Sequence, residues 1–199
     1  MTPIDEDALR LALARPTAAS SDFDLNPGTV LPTDRVLRSA AVLVAVWERP
    51  GGAQVILTKR ASHLKHHPGQ IAFPGGKLEP EDAGPEAAAL REALEEIALP
   101  PTAVRVLGTL SAHETVTGYI VTPVLGLVST DFRPVPEAGE VEEVFCAPLS
   151  HLADPDRYRI EKRRWRGEWR RYYTVPWGPY YIWGATARIL HGLAERLGA

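Results

Sequence analysis

The sequence predicts an α/β fold in which helices flank a mixed β-sheet. Runs of β-branched and aliphatic residues, which are typical of strands, are separated by segments whose apolar residues recur at helical spacing. The length of 199 residues is usual for a single domain, and we find no internal repeat. The composition, 45% hydrophobic and 24% charged, is that of an ordinary globular protein with a hydrophobic core.

The N-terminal elements are predicted to be a helix and an arm. Residues 5–14 form a short amphipathic helix that stops at Pro16, and the stretch after it is rich in Ser, Asp and Pro. We therefore expect residues 1–35 to be this helix and a surface arm, and residues 36–199 to form the domain itself.

The domain is predicted to start with a hairpin, because Pro50, Gly51 and Gly52 separate its first two apolar runs. The predicted strands are residues 39–47, 54–58, 104–110, 119–128 and 141–145. The predicted helices are residues 85–99, which lie between Gly84-Pro85 and Pro100-Pro101, and residues 182–197.

Charge and composition exclude several classes of protein. The 22 Lys and Arg against 25 Asp and Glu leave a net charge of −3, so there is no overall basic field for nucleic acid. No apolar run approaches the ~18 residues of a membrane span, and one cysteine, Cys146, cannot form an intramolecular disulfide. The N-terminus is acidic where a signal peptide is basic. We expect a cytoplasmic protein with no membrane partner.

The basic residues are concentrated in a second predicted hairpin, within residues 157–175, that turns at Arg166-Gly167. Residues 157–171 hold eight of the 22 basic residues and two acids, so the rest of the chain is strongly acidic. Strand alternation puts Arg163 and Trp165 on one face, and Lys162, Arg164 and Arg166 on the other. The hairpin could be a charged edge that resists pairing, or bind the phosphates or adenine of a nucleotide. Nucleic acid is the least favoured partner, because the rest of the chain is acidic.

The first domain helix carries three carboxylates at spacing i, i+3, i+4: Glu92, Glu95 and Glu96. They are predicted to oppose an apolar stripe made of Leu90, Ala93, Leu94 and Ile97. The simplest interpretation is a solvent-exposed helix face. Such a face usually mixes Lys or Arg with its acids, however, and each like-charge pair here destabilises the helix by roughly 0.2–0.5 kcal/mol. Mg²⁺ or Mn²⁺ would relieve this repulsion, since both prefer carboxylate oxygens.

The segment from Gly76 to Leu99, GKLEPEDAGPEAAALREALEEIAL, resembles the Nudix box, G-x5-E-x7-R-E-U-x-E-E-x-G-U, where U is aliphatic. The core R-E-U-x-E-E is complete. Three departures are visible: Asp82 replaces the first Glu, one extra residue separates it from Arg91, and Ala98 stands at the late Gly position. The upstream stretch LTKRASHLKHHPGQIAFPGG, residues 57–76, is similar to the LLTxR…GQxxFPGG pattern of the coenzyme A pyrophosphatase branch. The resemblance covers residues 38–197.

The resemblance implies a Nudix-type α/β/α sandwich with a mixed sheet, and Mg²⁺ or Mn²⁺ as cofactor. By position, the metal ligands would be Glu92, Glu95 and Glu96. Arg91 would orient them, and Gly75 and Gly76 would let the backbone lie against the metal or the diphosphate. It further implies hydrolysis of coenzyme A or acyl-CoA to 4′-phosphopantetheine, or its acyl form, and 3′,5′-ADP.

The resemblance leaves the general base open between Glu96 and Glu140, with Glu114 as a third candidate. The diphosphate and 3′-phosphate need cations, which Lys59, Arg60 and Lys65 would supply, while His66 and His67 could donate as well. The alternatives are another nucleoside diphosphate derivative, such as ADP-ribose or NADH, and a catalytically silent Nudix-fold binding module. A homodimer is plausible from fold analogy alone.

Overall fold

The structure, a computed structural model, describes residues 4–165 and 167–198. Its helices are α1 (Glu6–Ala14), α2 (Pro85–Ile97), α3 (Leu149–Leu152) and α4 (Ala185–Gly198). Its strands are β1 (Ser20–Ser21), β2 (Arg38–Trp47), β3 (Gln54–Arg60), β4 (Ile71–Ala72), β5 (Gly75–Lys77), β6 (Val104–Thr109), β7 (His113–Glu114), β8 (Tyr119–Val128), β9 (Val141–Pro148), β10 (Arg159–Trp165) and β11 (Glu168–Thr174).

The first nine strands form one mixed sheet within the described part of the chain. The strand order across the sheet is β1-β7-β8-β2-β3-β4. In addition, β5 pairs with β2, β6 with β8 and β9 with β3. The parallel pair β2–β8 is the centre, where ten residues of each strand are in register from Arg38–Tyr119 to Trp47–Val128. Both strands are apolar along nearly their whole length because helices cover both faces of the sheet.

Alternate residues of β2 enter two separate cores. Val44 and Val46 belong to the core shared with α1, α3 and α4. Leu43 and Ala45 belong to the core shared with α2. Because successive side chains of a strand point to opposite faces, the sheet lies between two helical layers. The predicted α/β/α sandwich with a mixed sheet is confirmed.

The predicted hairpin at the start of the domain is present, but its two strands pair only beside the turn. Strands β2 and β3 pair antiparallel at two positions next to the turn, Val46–Val55 and Trp47–Gln54. They then diverge: β5 pairs with β2, and β4 pairs with β3. These strands of two or three residues carry too little periodicity to be predicted. The C-terminal helix begins at Ala185 rather than at residue 182, directly after Gly184, whose φ is 65°.

The N-terminal arm contributes a short strand. Residues Ser20 and Ser21 pair in parallel with His113 and Glu114, and α1 packs against β6 and α4. The division at residue 35 stays a prediction. None of the helices in the described ranges combines the length and apolarity needed to cross a membrane.

The basic hairpin forms as a separate two-stranded sheet, β10–β11, with Trp165 opposite Glu168. Arg163 lies over the ring of Trp183, with 4.9 Å between guanidinium carbon and centroid, while Lys162 lies 5.3 Å from the centroid of Trp169. The predicted alternation of Lys162 and Arg163 is therefore present. The side chains of Trp165 and Arg166 lie outside the described residues.

Candidate active site

Helix α2 sets the position of the carboxylates. Pro85 at its first turn fits the N-terminus of a helix, where a backbone donor would have no partner. The face that packs on the sheet is made of small residues and one carboxylate: Ala88, Ala89, Ala93, Glu96 and Ile97. The expected stripe is wrong at Leu94, which is 46% exposed. The three glutamates therefore do not share one solvated face, because Glu96 points toward the sheet.

Two glycines bring the backbone of β5 against this helix. Strand β5 pairs with β2 so that Gly76 lies opposite Ala41 and Gly75 opposite Val42. A Cβ on Gly76 would lie 2.3 Å from Oε1 of Glu92, and one on Gly75 would lie 2.4 Å from the carbonyl oxygen of Ala41. A Cβ at Gly75 would meet the backbone of β2, and one at Gly76 would fit only if the carboxylate of Glu92 moved, which explains the Gly-Gly pair.

Glu96 is the most deeply buried of the three glutamates, at 4% exposed. Its Oε2 accepts a hydrogen bond from the backbone N–H of Gly75 at 3.1 Å. Burial raises its pKa to about 7; the charges of Glu92 and Glu140 act in the same direction, while the Gly75 N–H and Arg60 oppose the rise. Burial also raises the pKa of Glu92. The site therefore holds carboxylates that are hard to ionise together in the absence of a cation.

Arg91 holds the surrounding carboxylates in place. Its Nε and Nη2 donate to the two oxygens of Asp82, at 3.1 and 3.0 Å. Its Nη1 donates to Glu92 and to Glu95, at 3.1 Å each, and its Nη2 also reaches the carbonyl oxygen of Lys77. Arg91 therefore connects the loop before α2 to two of the three glutamates. Asp82, whose alignment with the family pattern is displaced, is the bidentate partner.

The loop before β9 brings a fourth carboxylate toward the site. The backbone N–H groups of Val135 and Glu137 donate to the carbonyl oxygens of Ile97 and Glu96, at 3.1 and 2.9 Å. The charge of Glu140, on the same loop, raises the pKa of both Glu92 and Glu96. Glu114, by contrast, lies on β7 and pairs with Arg35 at 2.5 Å.

The three predicted phosphate-binding cations have different surroundings. Lys59 donates to Glu142 at 2.6 Å, and Ser62 donates to the same carboxylate. Arg60 makes no ion pair within the described ranges, and its charge acts on Glu96. Lys65 is exposed in the loop between β3 and β4, close in sequence to the exposed His66 and His67. The charge of Arg60 thus acts on the buried carboxylate, while Lys65 is exposed to solvent.

Sequence reasoning missed the partners of Lys59. Glu142 reaches Lys59 because β9 pairs with β3 across more than 80 residues of chain. Nothing local marks this contact, although residues 141–145 are predicted to form a strand. No group of three or more His, Cys, Asp or Glu side chains within residues 4–165 and 167–198 is arranged to hold a metal ion as it stands.

The fold agrees with the comparisons to known proteins. The NUDIX domain model matches residues 37–168. A protein named Uncharacterized Nudix hydrolase NudL from Enterobacter sp. (strain 638) is 44% identical over 163 residues, which covers 81% of this chain and 83% of that protein. Its namesake in Escherichia coli (strain K12) is 43% identical over 161 residues, with the same coverage. The chain belongs to the Nudix hydrolase family.

Two solved structures share the architecture. A Nudix hydrolase from M. smegmatis, RenU, superposes with a TM-score of 0.50 at 28% identity, over 58% of this chain and 73% of that one. The NUDIX domain of Shewanella oneidensis NrtR, solved with ADP ribose, gives a TM-score of 0.53 at 16% identity, over 86% and 96% of the chains. The second likeness concerns the fold alone.

Proposed function

We propose that the protein hydrolyses the diphosphate of coenzyme A or acyl-CoA to 4′-phosphopantetheine, or its acyl form, and 3′,5′-ADP. The observation that carries the hydrolytic part is the cluster formed by Glu96, Glu92 and the Gly75-Gly76 backbone. The preference for coenzyme A rests on the resemblance of residues 57–76, which form β3, β4, β5 and the loops between them. This stretch joins the glycines of the site to the cations Lys59 and Arg60.

The donor set suits Mg²⁺ or Mn²⁺. Glu92, Glu95 and Glu96 would hold the ion, since all three offer oxygen ligands. Two of them, Glu92 and Glu96, have pKa values raised by burial and by the charges of neighbouring carboxylates. When bound, the ion would polarise phosphoryl oxygens and lower the pKa of a coordinated water. Binding also requires the carboxylates to converge further than they do here, and relief of their repulsion favours that movement.

The protein's own residues would position the substrate and move a proton. In the reaction, a water oxygen forms a bond to one phosphorus, the bridging P–O bond breaks, and two phosphomonoesters result. Glu96 and Glu140 are the two candidates to accept the proton of the attacking water. Arg91 would hold Glu92 and Glu95 in position, while Lys59, Arg60 and Lys65 would face the phosphates.

The decisive experiment offers coenzyme A, ADP-ribose and NADH separately with Mg²⁺ or Mn²⁺ and separates the products by chromatography. Release of 4′-phosphopantetheine and 3′,5′-ADP, with slower turnover of the other two compounds, supports the proposal. Preference for ADP-ribose or NADH would remove coenzyme A as the substrate but keep the site. Absence of turnover with all three would support the binding module instead.

The role of Glu96 is tested in the same assay. Glu96→Gln keeps the size of the side chain and removes its charge, so kcat should fall by about 100-fold or more. Glu86→Gln makes the same change at an exposed position in the first turn of the same helix and should leave kcat unchanged. A normal kcat in Glu96→Gln would exclude Glu96 from the reaction.

A further inference from the structure

A cleft of about 70 Å³ lies away from the carboxylate site, between the N-terminal arm, the connection from β6 to β7, and helix α4. We call it the arm cleft. Its polar lining comes from all three segments: Thr17 and Ser20 of the arm, Ser111 of the connection, and Arg188, Glu195 and Arg196 of α4. Nothing in the hydrolytic site uses these residues.

Arg196 is the unusual member of this lining, because it is only 6% exposed and carries a full positive charge. Its Nη2 donates to the hydroxyls of Thr17 and Ser111, the latter at 2.8 Å. Within residues 4–165 and 167–198 no carboxylate lies within 4 Å of its guanidinium, and no acceptor is found for its Nε and Nη1 N–H groups. Burial lowers the pKa of Arg196.

The carboxylate in the lining, Glu195, and Asp24 nearby each pair with a residue other than Arg196. Glu195 is 57% exposed on its side chain and pairs with His191 at 3.4 Å. Asp24 pairs with Arg188 at 3.2 Å. A buried charge is costly unless it is paired, and two hydroxyls supply dipoles but no negative charge. The guanidinium therefore favours an anion in the space beside it.

The shape of the cleft limits the size of that anion. One water needs roughly 10–15 Å³ of such volume, so about 70 Å³ accommodates a few waters or one small polyatomic anion, and not a nucleotide. Arg188 also lines the cleft, but its charge is already paired with Asp24. The planar N–H groups of a guanidinium match the oxygens of a tetrahedral oxyanion.

We propose that the arm cleft binds a phosphate group, held by the Nε and Nη1 N–H groups of Arg196. The hydroxyls of Thr17 and Ser111, which also hydrogen-bond to each other, accept from Nη2 and hold the guanidinium in place. Because Arg196 joins α4 to the arm and to the β6–β7 connection, a phosphate bound to it would stabilise the attachment of the arm to the domain. Free inorganic phosphate and the phosphate of a small monoester present the same chemistry.

The test measures thermal unfolding of the full chain, without divalent metal, in inorganic phosphate, in glycerol 2-phosphate, and in sodium chloride at equal ionic strength. At ~10 times the dissociation constant, either phosphate compound should raise Tm by about 3–6 °C over chloride. A rise with both identifies a general phosphate site, and a rise with inorganic phosphate alone identifies a site for the free ion. No rise with either would overturn the proposal.

Variants locate the binding. Arg196→Met keeps an unbranched apolar stem and should lose the rise, and Ser111→Ala should reduce it while disturbing the fold less. Arg60→Gln, which changes the proposed diphosphate site, should keep the full rise. An undiminished rise in Ser111→Ala and Arg196→Met would place the phosphate elsewhere and overturn the proposal. If Arg196→Met does not fold, a crystal of the unaltered protein grown in phosphate decides, since density must contact Arg196.

Discussion

The carboxylate of Glu96 and the backbone N–H of Gly75 are joined by a hydrogen bond of 3.1 Å across the two elements of the candidate active site. This single donor does not replace the water that Glu96 loses, since its side chain is almost fully buried. Its pKa of about 7 is the result. The ionised form of Glu96 is therefore less stable in the folded protein than it would be in water.

The first prediction concerns stability in the absence of metal. The pKa of Glu96 is about 7 in the folded state and 4.5 as its ordinary value, so folding favours the protonated form. Stability should therefore fall as pH rises between these two values, by about 3 kcal/mol when the carboxylate is fully ionised. Glu96→Gln cannot ionise and should not show this loss. Urea unfolding at pH 5 and pH 8 in EDTA measures both proteins.

The informative quantity is the difference between the two proteins, because other titrating groups affect both alike. From pH 5 to pH 8, the free energy of unfolding of Glu96→Gln should rise relative to that of the unaltered protein. That of Glu86→Gln should not. Adding Mg²⁺ at pH 8 should stabilise the unaltered protein more than Glu96→Gln, since only the former keeps the full ligand set. An equal pH dependence in the two proteins would contradict the prediction.

The second prediction is that alanine has different effects at the two glycines, Gly75 and Gly76. Gly75→Ala places a Cβ against the backbone of Ala41 and Val42, which cannot move without disturbing β2, so stability should fall by several kcal/mol. Gly76→Ala meets only the carboxylate of Glu92, the mobile end of a side chain. It should cost little stability but displace a proposed metal ligand. Urea unfolding and kcat with Mg²⁺ measure the two effects.

Gly28→Ala serves as the control, because a Cβ there meets nothing within 4 Å. It should change neither stability nor kcat. Two outcomes would count against this account of the loop: a Gly75→Ala protein as stable as the unaltered one, or a Gly76→Ala protein with normal metal affinity and kcat.

The local part of the site could be predicted from sequence, and the part that depends on strand pairing could not. Helix α2 and its glutamates follow from spacing within 12 residues, so the helix was predicted to within two residues. The burial of Glu96 could not be predicted, because helical spacing groups this residue with Glu95 on the side of the helix opposite the apolar stripe. The environment of Glu96 is set by β5, a strand of three residues that pairs with β2.

The same limit applies to the cations. Lys59 and Arg60 are neighbours in sequence, and spacing alone treats them alike. The pairing of β3 with β9 gives Lys59 a carboxylate partner, Glu142, and leaves Arg60 at the bulge where the register shifts. Distinguishing them needed the three-dimensional pairing of two strands far apart in the chain.

The third prediction follows from that difference. Lys59 must give up its ion pair with Glu142 to bind a phosphate, whereas Arg60 makes none within the described residues. Arg60→Gln should therefore raise KM for coenzyme A by about tenfold, and Lys59→Gln by only a few-fold. Arg10→Gln, on helix α1, removes a positive charge on the face of the sheet opposite α2 and should leave KM unchanged. Steady-state kinetics with Mg²⁺ decide; a larger effect at Lys59 than at Arg60 would refute this ranking.

The last prediction concerns Ala98, which stands where the family pattern has Gly. Helix α2 ends there with φ 57° and ψ 30°, the left-handed conformation that a Cβ disfavours. The N–H groups of Ala98 and Leu99 nevertheless donate to the carbonyl oxygens of Leu94 and Ala93, so the helix end requires this conformation. Ala98 is exposed, so Ala98→Gly loses little packing and should stabilise the protein by about 1 kcal/mol.

The same substitution at Ala87, within the first turns of α2, supplies the matched control. The backbone there is helical, so Ala87→Gly should destabilise by roughly 0.5–1 kcal/mol. Urea unfolding of both variants should thus give changes of opposite sign. A loss of stability in both would mean that the left-handed turn at Ala98 carries no strain. Since Glu96 lies two residues before this turn, an unchanged kcat in Ala98→Gly would further show that relieving the strain leaves the carboxylate in place.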